Sequence, residues 1–290
     1  MHITQLFGTL ELGLIYGLVT IGVYLTSRVI NFADLTVDGS FPLGAAIVAA
    51  SIVNGMNPWL ASLLAFLGGA LSGSVTGYLN VRWKITGLLA GILTMTALYS
   101  INLRIMGRPN IALLSETTIF TEIYGMYWVL GVVCFIIVGG VIYFLNSQIG
   151  LAMRAAGTNP RCANAQGVRV GWMIVLGVAL SNGIVAFSGA LFAQAQGFAD
   201  ISLGTGTLVV GLASVIIGEV IFRTRRLSMI VISCIAGSIV YRIAIALALN
   251  TEFLGLKASD LKLITAVLIG ATMILPKLRE ELLIRRKRRA

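Results

Sequence analysis

The sequence predicts an all-α, polytopic membrane protein of about 8–10 transmembrane helices, with broken or re-entrant segments. Composition carries the first part of that reading. Hydrophobic residues make up 58% of the 290 residues and charged residues 11%, and mean hydropathy is +0.95. A soluble domain has roughly a quarter charged residues and under half apolar ones. The second observation is a series of apolar runs, each long enough to span a bilayer. The third is the clustering of basic residues in the short stretches between them.

A helix needs about 20 apolar residues to cross the hydrocarbon core. Runs of that order occupy residues 6–27, 59–79, 85–106, 127–145, 171–194, 205–222, 227–249 and 260–276. A shorter run at 40–53 makes a ninth span if it begins within the polar segment before it. Arg82 and Lys84 mark one loop, Arg154, Arg161 and Arg169 a second, and Arg223, Arg225 and Arg226 a third. With the tail residues Lys277, Arg279, Arg285, Arg286, Lys287, Arg288 and Arg289, fifteen of the 21 Lys and Arg fall on one side of an alternating path. The positive-inside rule makes that side cytoplasmic and puts the C-terminus there. The side of the N-terminus depends on whether residues 28–40 cross or re-enter. Loops near 107–126 and 250–259, with Glu116, Glu122 and Glu252, lie opposite. The expected organisation is one transmembrane domain over 1–276, with a cytoplasmic loop at 146–170, and a basic tail at 277–290.

The net charge of +10 sits in these loops and the tail, so membrane topology accounts for it and nucleic acid is not an expected partner. Cys134, Cys162 and Cys234 are scattered, with neither a disulfide framework nor metal spacing. His2 is the only histidine, which leaves no basis for a histidine metal site or proton relay. The N-terminus shows no charged leader region or small-residue cleavage site, and no removable signal peptide is expected.

Residues 31–40 read NFADLTVDGS and residues 197–206 read GFADISLGTG. Phe32, Ala33 and Asp34 recur as Phe198, Ala199 and Asp200, and each copy follows one apolar span and introduces the next. Coincidence in a restricted alphabet is one reading. The other is a duplicated half: five intervening spans would give the halves inverted topology, the arrangement in which discontinuous helices meet near the midplane to form a path. Asp34 and Asp38 stand four residues apart and would share a face if this stretch is helical. A carboxylate in the membrane is a functional hypothesis by default, and capping of a helix N-terminus is its alternative. Asp34 and Asp200 read better as caps; for Asp38 the two stand even. Glu11 and Arg242, also within apolar runs, are expected to face the bundle interior or a partner subunit.

Gly69, Gly73 and Gly77 form a double GxxxG, and Gly13 and Gly17 a single one. Small residues at this spacing let helix backbones approach; packing within the subunit is the simpler reading and a dimer interface the other. The basic loop at 146–170 reads NSQIGLAMRAAGTNPRCANAQGVRV. Asn159 suits an N-cap, Pro160 the first helical position and Gly167 a C-terminal stop, which predicts a short cytoplasmic helix from Pro160 to Gln166. Its surface of Arg161, Cys162, Ala163, Asn164 and Gln166 is small and mild. It is either an amphipathic connector or a knob for a groove on another protein.

Over nearly its whole length the chain resembles the permeases of ABC importers of the branched-chain amino acid and ribose type. The resemblance rests on INFADLTVDGSFPLGAAI at 30–47, GLAMRAAGTNPRCANAQGVRV at 150–170 and GLASVIIGE at 211–219, in that order. The run from Leu35 to Phe41 and GLLAGILTMTALYSINLRIMG at 87–107 look closest to a branch associated with tryptophan or tyrosine uptake. The resemblance implies a type II importer-like fold. It makes Asn159–Gln166 with Gly167 the coupling helix that docks on an ATPase subunit, flanked by Arg154, Arg161 and Arg169. It sets Phe32, Asp34, Asp38, Phe198 and Asp200 by the central pathway between two permease copies, a homodimer in the single-permease branch. An extracytoplasmic substrate-binding protein completes the assembly. No GxxxxGK[ST], and no Gly–Lys pair, occurs in the chain, so ATP and Mg are expected on the partner ATPase and no cofactor on this chain. Branched-chain amino acids or a sugar are the alternative cargo. An ion-coupled secondary transporter, with Glu11 and Asp38 as intramembrane acids, is the competing function. A membrane-embedded enzyme is disfavoured, since no His, Asp or Cys cluster has a catalytic spacing.

Overall fold

The structure, a computed structural model, describes residues 3–122, 126–222, 224, 226–250, 267 and 270. The loop at 250–259, nearly all of the apolar run at 260–276, the tail at 277–290, and Arg223 and Arg225 lie outside the described residues. In hydrocarbon a backbone amide finds no water, so apolar runs close their hydrogen bonds within a helix. The elements follow in order. Helix α1 (Ile3–Tyr24) passes into a π-turn at Leu25–Val29, and α2 spans Val37–Val53, α3 Pro58–Trp83 and α4 Gly87–Met106. A short strand β1 (Asn110–Ala112) and a single turn α5 (Ile119–Glu122) precede α6 (Met126–Asn146). Helices α7 (Gln148–Thr158) and α8 (Pro160–Ala165) form the basic loop, and α9 covers Val170–Gln196. Strand β2 (Phe198–Asp200), a 3-10 turn at Ile201–Gly204, α10 (Thr207–Ile221) and α11 (Leu227–Asn250) complete the described chain.

Among the described residues seven helical segments are long and apolar enough to cross a membrane, and α2 is a shorter apolar helix beside them. The 40–53 run thus begins in the preceding segment, at Val37. The helices break where the sequence supplies a reason. Asn57 caps α3 by accepting from the Trp59 amide, with Pro58 at the first helical position. Gly107 and Gly197 end α4 and α9 in the left-handed region, at φ 68° and 74°. Strands β1 and β2 pair antiparallel, Ile111 opposite Ala199.

The helices alternate in direction. Gly69, Gly73 and Gly77 of α3 face Asn182, Val178 and Val175 of α9 in descending order, so α3 and α9 are antiparallel. Gly13 and Gly17 of α1 face Ile239 and Ile235 of α11, again antiparallel. Ser181 Oγ donates to the Gly22 carbonyl at 2.7 Å, and Ser188 Oγ to the Ile15 carbonyl at 2.7 Å. That pair of bonds sets α1 antiparallel to α9. It also fixes a symmetry: the displacement along the chain that takes Phe32 to Phe198 also takes Ile15 to Ser181 and Gly22 to Ser188. The two bonds are therefore mates under exchange of the halves.

The packing obeys the same exchange. Helix α3 packs on α9 as α11 packs on α1, α2 on α3 as α10 on α11, and α2 on α9 as α10 on α1. The duplicated half is thus an inverted repeat, α1–α3 against α9–α11. Tyr16 of α1, Phe41 of α2 and Phe192 of α9 fill its centre, with ring centroids 5.5 to 6.1 Å apart. Helices α2 and α9 come into backbone contact there: a Cβ on Gly44 would strike the Ala186 carbonyl, and one on Gly189 the Phe41 carbonyl. Leu71, Phe135 and Tyr143 on α3 and α6 point outward at 69%, 80% and 80% exposure, a surface that only lipid or another membrane subunit can cover.

Candidate functional site

The two copies of the repeated segment fold alike at their aspartates. Asp34 Oδ1 accepts from the Thr36 amide at 2.9 Å, and Asp200 Oδ1 accepts from the Ser202 amide at 2.7 Å. Each carboxylate thus ties down the N–H two residues on, a local bond that both sequences encode. Their surroundings differ. Asp34 is buried, and its Oδ2 accepts from Asn182 Nδ2 at 2.6 Å. Asp200 lies at the surface, accepts from the Ser202 hydroxyl as well and from Asn110 Nδ2 at 3.2 Å. The Ser202 hydroxyl, ahead of the opposing effect of burial, holds its carboxyl below the usual carboxylate range.

Asp34 and Asp38 do not share a helical face, as the four-residue spacing suggested. Residues 31–35 are irregular and α2 begins only at Val37, because Asn31 turns the chain at φ 56° and Asp34 takes the Thr36 amide out of the helical pattern. Asp38 does cap a helix, but another one: its carboxylate accepts from the amides of Gly206 at 3.2 Å and Leu208 at 2.7 Å, at the N-terminus of α10. A carboxylate there satisfies free N–H groups and meets the positive end of the helix dipole. Gly204, the residue corresponding to Asp38 in the second copy, lies so close that a Cβ on it would strike the Asp38 carbonyl. The halves therefore meet at Asp38.

Phe32 is buried, with its ring against Gly87 at the start of α4, while Phe198 is half-buried and stands edge-on to Phe192 at 6.4 Å. Around the first copy runs a chain of buried polar groups that the sequence did not reveal. Asn182 Oδ1 accepts from Ser40 Oγ at 2.8 Å, and Ser40 and Ser72 hydroxyls lie 3.0 Å apart. Thr36 and Thr76 hydroxyls lie 2.7 Å apart, and Thr76 donates to Thr94 at 2.9 Å. Four helices are thereby linked in a region where an unpaired polar group is costly. Ser72 and Thr94 also line a cleft of about 900 Å³ whose other walls include Leu43, Tyr78, Leu98 and Trp172. The one signal available in sequence is that Ser72 and Thr76 lie on the same helical face as Gly69 and Gly73.

Glu11 is buried in α1, and its Oε1 has no hydrogen-bond partner among the described residues. Arg242 turns inward, its guanidinium 3.7 Å from the Tyr16 ring centroid.

The basic loop folds as two helices. Asn159 Oδ1 accepts from the Cys162 amide at 3.1 Å, with Pro160 first in α8, and Gly167 leaves the helix at φ 83°. Helix α7 before it, capped by Ser147, was not expected from sequence. Ala163 is buried against Ala156 and Val170. Asn159, Pro160, Arg161, Cys162, Asn164, Gln166 and Gly167 are exposed, and so is Arg169, whereas Arg154 is half-buried. A groove of about 570 Å³ between α7 and α8 is lined by Leu151, Ala155, Cys162 and Val168 among others. Val81 at the end of α3 touches Gly171 at the start of α9, and Val29 touches Gly157 of α7. Arg28 pairs with Glu219 near the end of α10. The loops after α3, before α9 and after α10 therefore share one end of the molecule, as the basic residues predicted. No cluster of three or more His, Cys, Asp or Glu could hold a metal among the described residues.

Residues 5–275 match the family described as the permease component of branched-chain amino acid transport systems. A tyrosine transport system permease protein of Clostridioides difficile is 42% identical over 261 residues, covering 89% of this chain and 86% of that one. A nucleoside ABC transporter permease protein of Lactococcus lactis is 29% identical over 194 residues, 60% of each chain. In architecture the chain is similar to one in PsaBC from Streptococcus pneumoniae in complex with Fab, with a TM-score of 0.56 at 14% identity over 92% of this chain and 89% of that chain. That likeness supports the fold alone. The inverted repeat and the family match lead to one conclusion: the chain belongs to the branched-chain amino acid transport system permease family and is a multi-pass permease of the ABC importer type.

Proposed function

We propose that this chain forms the translocation path of an ABC importer for an aromatic amino acid, as two copies working with two ATPase subunits and an extracytoplasmic binding protein. The observation that carries the proposal is α8: a capped, almost wholly exposed helix at the basic end of the molecule, seated on α9 through Ala163. That end is cytoplasmic by the positive-inside rule, and the C-terminus lies on the same side. Asn159, Pro160, Arg161, Cys162, Asn164, Gln166 and Gly167 dock on the ATPase, and Arg154 and Arg169 flank the contact. ATP and Mg bind to that partner, since this chain has no phosphate-binding loop.

Closure of the ATPases moves both α8 helices and reorients the packed spans. The path runs by the two repeated segments, with Phe32, Asp34, Asp38, Phe198 and Asp200 at or beside it. In this reading the second permease copy packs over the cleft that Ser72 and Thr94 line. The aromatic cargo is supported by the 42% identical relative, a tyrosine transport system permease protein.

Uptake by the complete assembly in proteoliposomes tests the proposal, with radiolabelled L-tyrosine outside and ATP on the ATPase side. ATP-dependent uptake that excess L-tryptophan suppresses, and that L-leucine and D-ribose leave unchanged, is the expected result. Suppression by leucine or ribose instead would move the cargo to that class. Uptake that an ion gradient drives without ATP would end the importer reading.

A further inference from the structure

Arg28 and Asp38 bracket the first irregular segment, and each holds one end of α10. Arg28 Nη2 donates to Glu219 Oε2 at 2.5 Å, near the C-terminal end of that helix. Asp38 accepts from Gly206 and Leu208 at its N-terminal end. Helix α10 runs from Thr207 to Ile221, about 20 Å at the α-helical rise. One short stretch of chain therefore clamps both ends of a membrane helix that lies far away in sequence.

The same stretch rests on the basic loop. A Cβ on Gly157 of α7 would strike the Val29 carbonyl and crowd Ile30, so backbone lies on backbone there with no side chain between. Gly157 stands two residues before Asn159, the cap of α8. Contacts this close, within an interior packed like a crystal, leave little slack to absorb a displacement.

We propose that residues 28–38 are a brace that carries movement of the α7–α8 loop to α10, so that brace and helix move as one body; this rests on the importer reading above. Arg28, Asp38 and Glu219 are positioning residues, and none needs to touch the cargo. Both ends of α10 then follow the coupling loop together. A contact at one end alone would let the helix pivot.

Distance measurement by electron spin resonance, with ATP and vanadate as the only ligands, tests the brace. The full permease–ATPase assembly is placed in nanodiscs with its three native cysteines kept. Ketone-reactive spin labels go on p-acetylphenylalanine introduced at Val209 in α10 and at Tyr99 in α4, both exposed positions. In this parent, ATP with vanadate shifts the distance distribution. Arg28→Gln and Glu219→Gln each reduce the shifted population at least fivefold while the ATPase stays bound, and the swap Arg28→Glu with Glu219→Arg restores it to within twofold. Asp38→Ala reduces it as well. Single variants that shift like the parent, a swap no better than the singles, or a parent with bound ATPase and no shift would each overturn the brace. A parent that binds no ATPase would instead bring down the importer reading and the brace with it.

Discussion

Asn182 of α9 donates from Nδ2 to Oδ2 of Asp34 at 2.6 Å, and both side chains are buried. The bond joins the first repeated segment to the helix that leads into the second. Asn182→Ala leaves a buried carboxylate oxygen without its donor. Loss of a partner to a buried charged group costs about 3 kcal/mol, above the average of roughly 0.6 kcal/mol for polar pairs in membrane bundles. Thermal unfolding in detergent should show a drop of several degrees, with part of it recovered in Asp34→Asn/Asn182→Ala. A double variant no better than the single would mean that Asp34 is not the group left unpaired.

Glycine positions separate into two kinds, and the difference is measurable. A Cβ on Gly44 would collide with the Ala186 carbonyl, whereas one on Gly139 in α6 meets nothing within 4 Å. Gly44→Val should cost about 3 kcal/mol or abolish folding, since the obstacle is backbone that cannot rotate away. Gly139→Ala should be neutral or stabilising by up to about 1 kcal/mol, from helix propensity alone. Yield and monodispersity after purification report both. Equal losses in the two variants would contradict the close approach of α2 and α9.

The cysteines report exposure and sidedness together. Cys162 is exposed on α8, while Cys134 and Cys234 are buried. In membranes that carry the permease without its ATPase, an impermeant maleimide should label the chain once, in inverted vesicles and not in right-side-out ones. Cys162→Ser should remove the label. Labelling from the outer face would reverse the orientation assigned from the basic loops.

Residues Asn159 to Gly167 show what sequence can convey. Cap, proline and stop act on their own neighbours, so α8 was legible to within one residue. Asp200 was legible for the same reason, capping the 3-10 turn through the Ser202 amide, whereas Asp34, expected as a cap, bonds the Thr36 amide ahead of α2 and caps no helix. Asp38 was not, because the amides it caps belong to α10, up to 170 positions away. Asn182 was hidden differently. One amide in an apolar run says only that it faces protein, and the fold decides which protein. Helix α7 was not legible because its two glycines, Gly150 and Gly157, read as loop. In the structure Gly150 lies against Leu145 and Gly157 against Val29, where a side chain has no room.

In the proposed function α8 is the contact through which an ATPase drives this permease. Its direct test is co-purification of the ATPase with tagged wild-type chain and with Arg161→Glu/Asn164→Glu, both exposed positions, alongside ATP hydrolysis by the eluate. The wild type should retain ATPase in equal amount and hydrolyse ATP. The variant should lose at least nine-tenths of the bound ATPase, while its own yield and elution profile from gel filtration stay those of the wild type. Undiminished association of the ATPase with a correctly folded variant would contradict the claim.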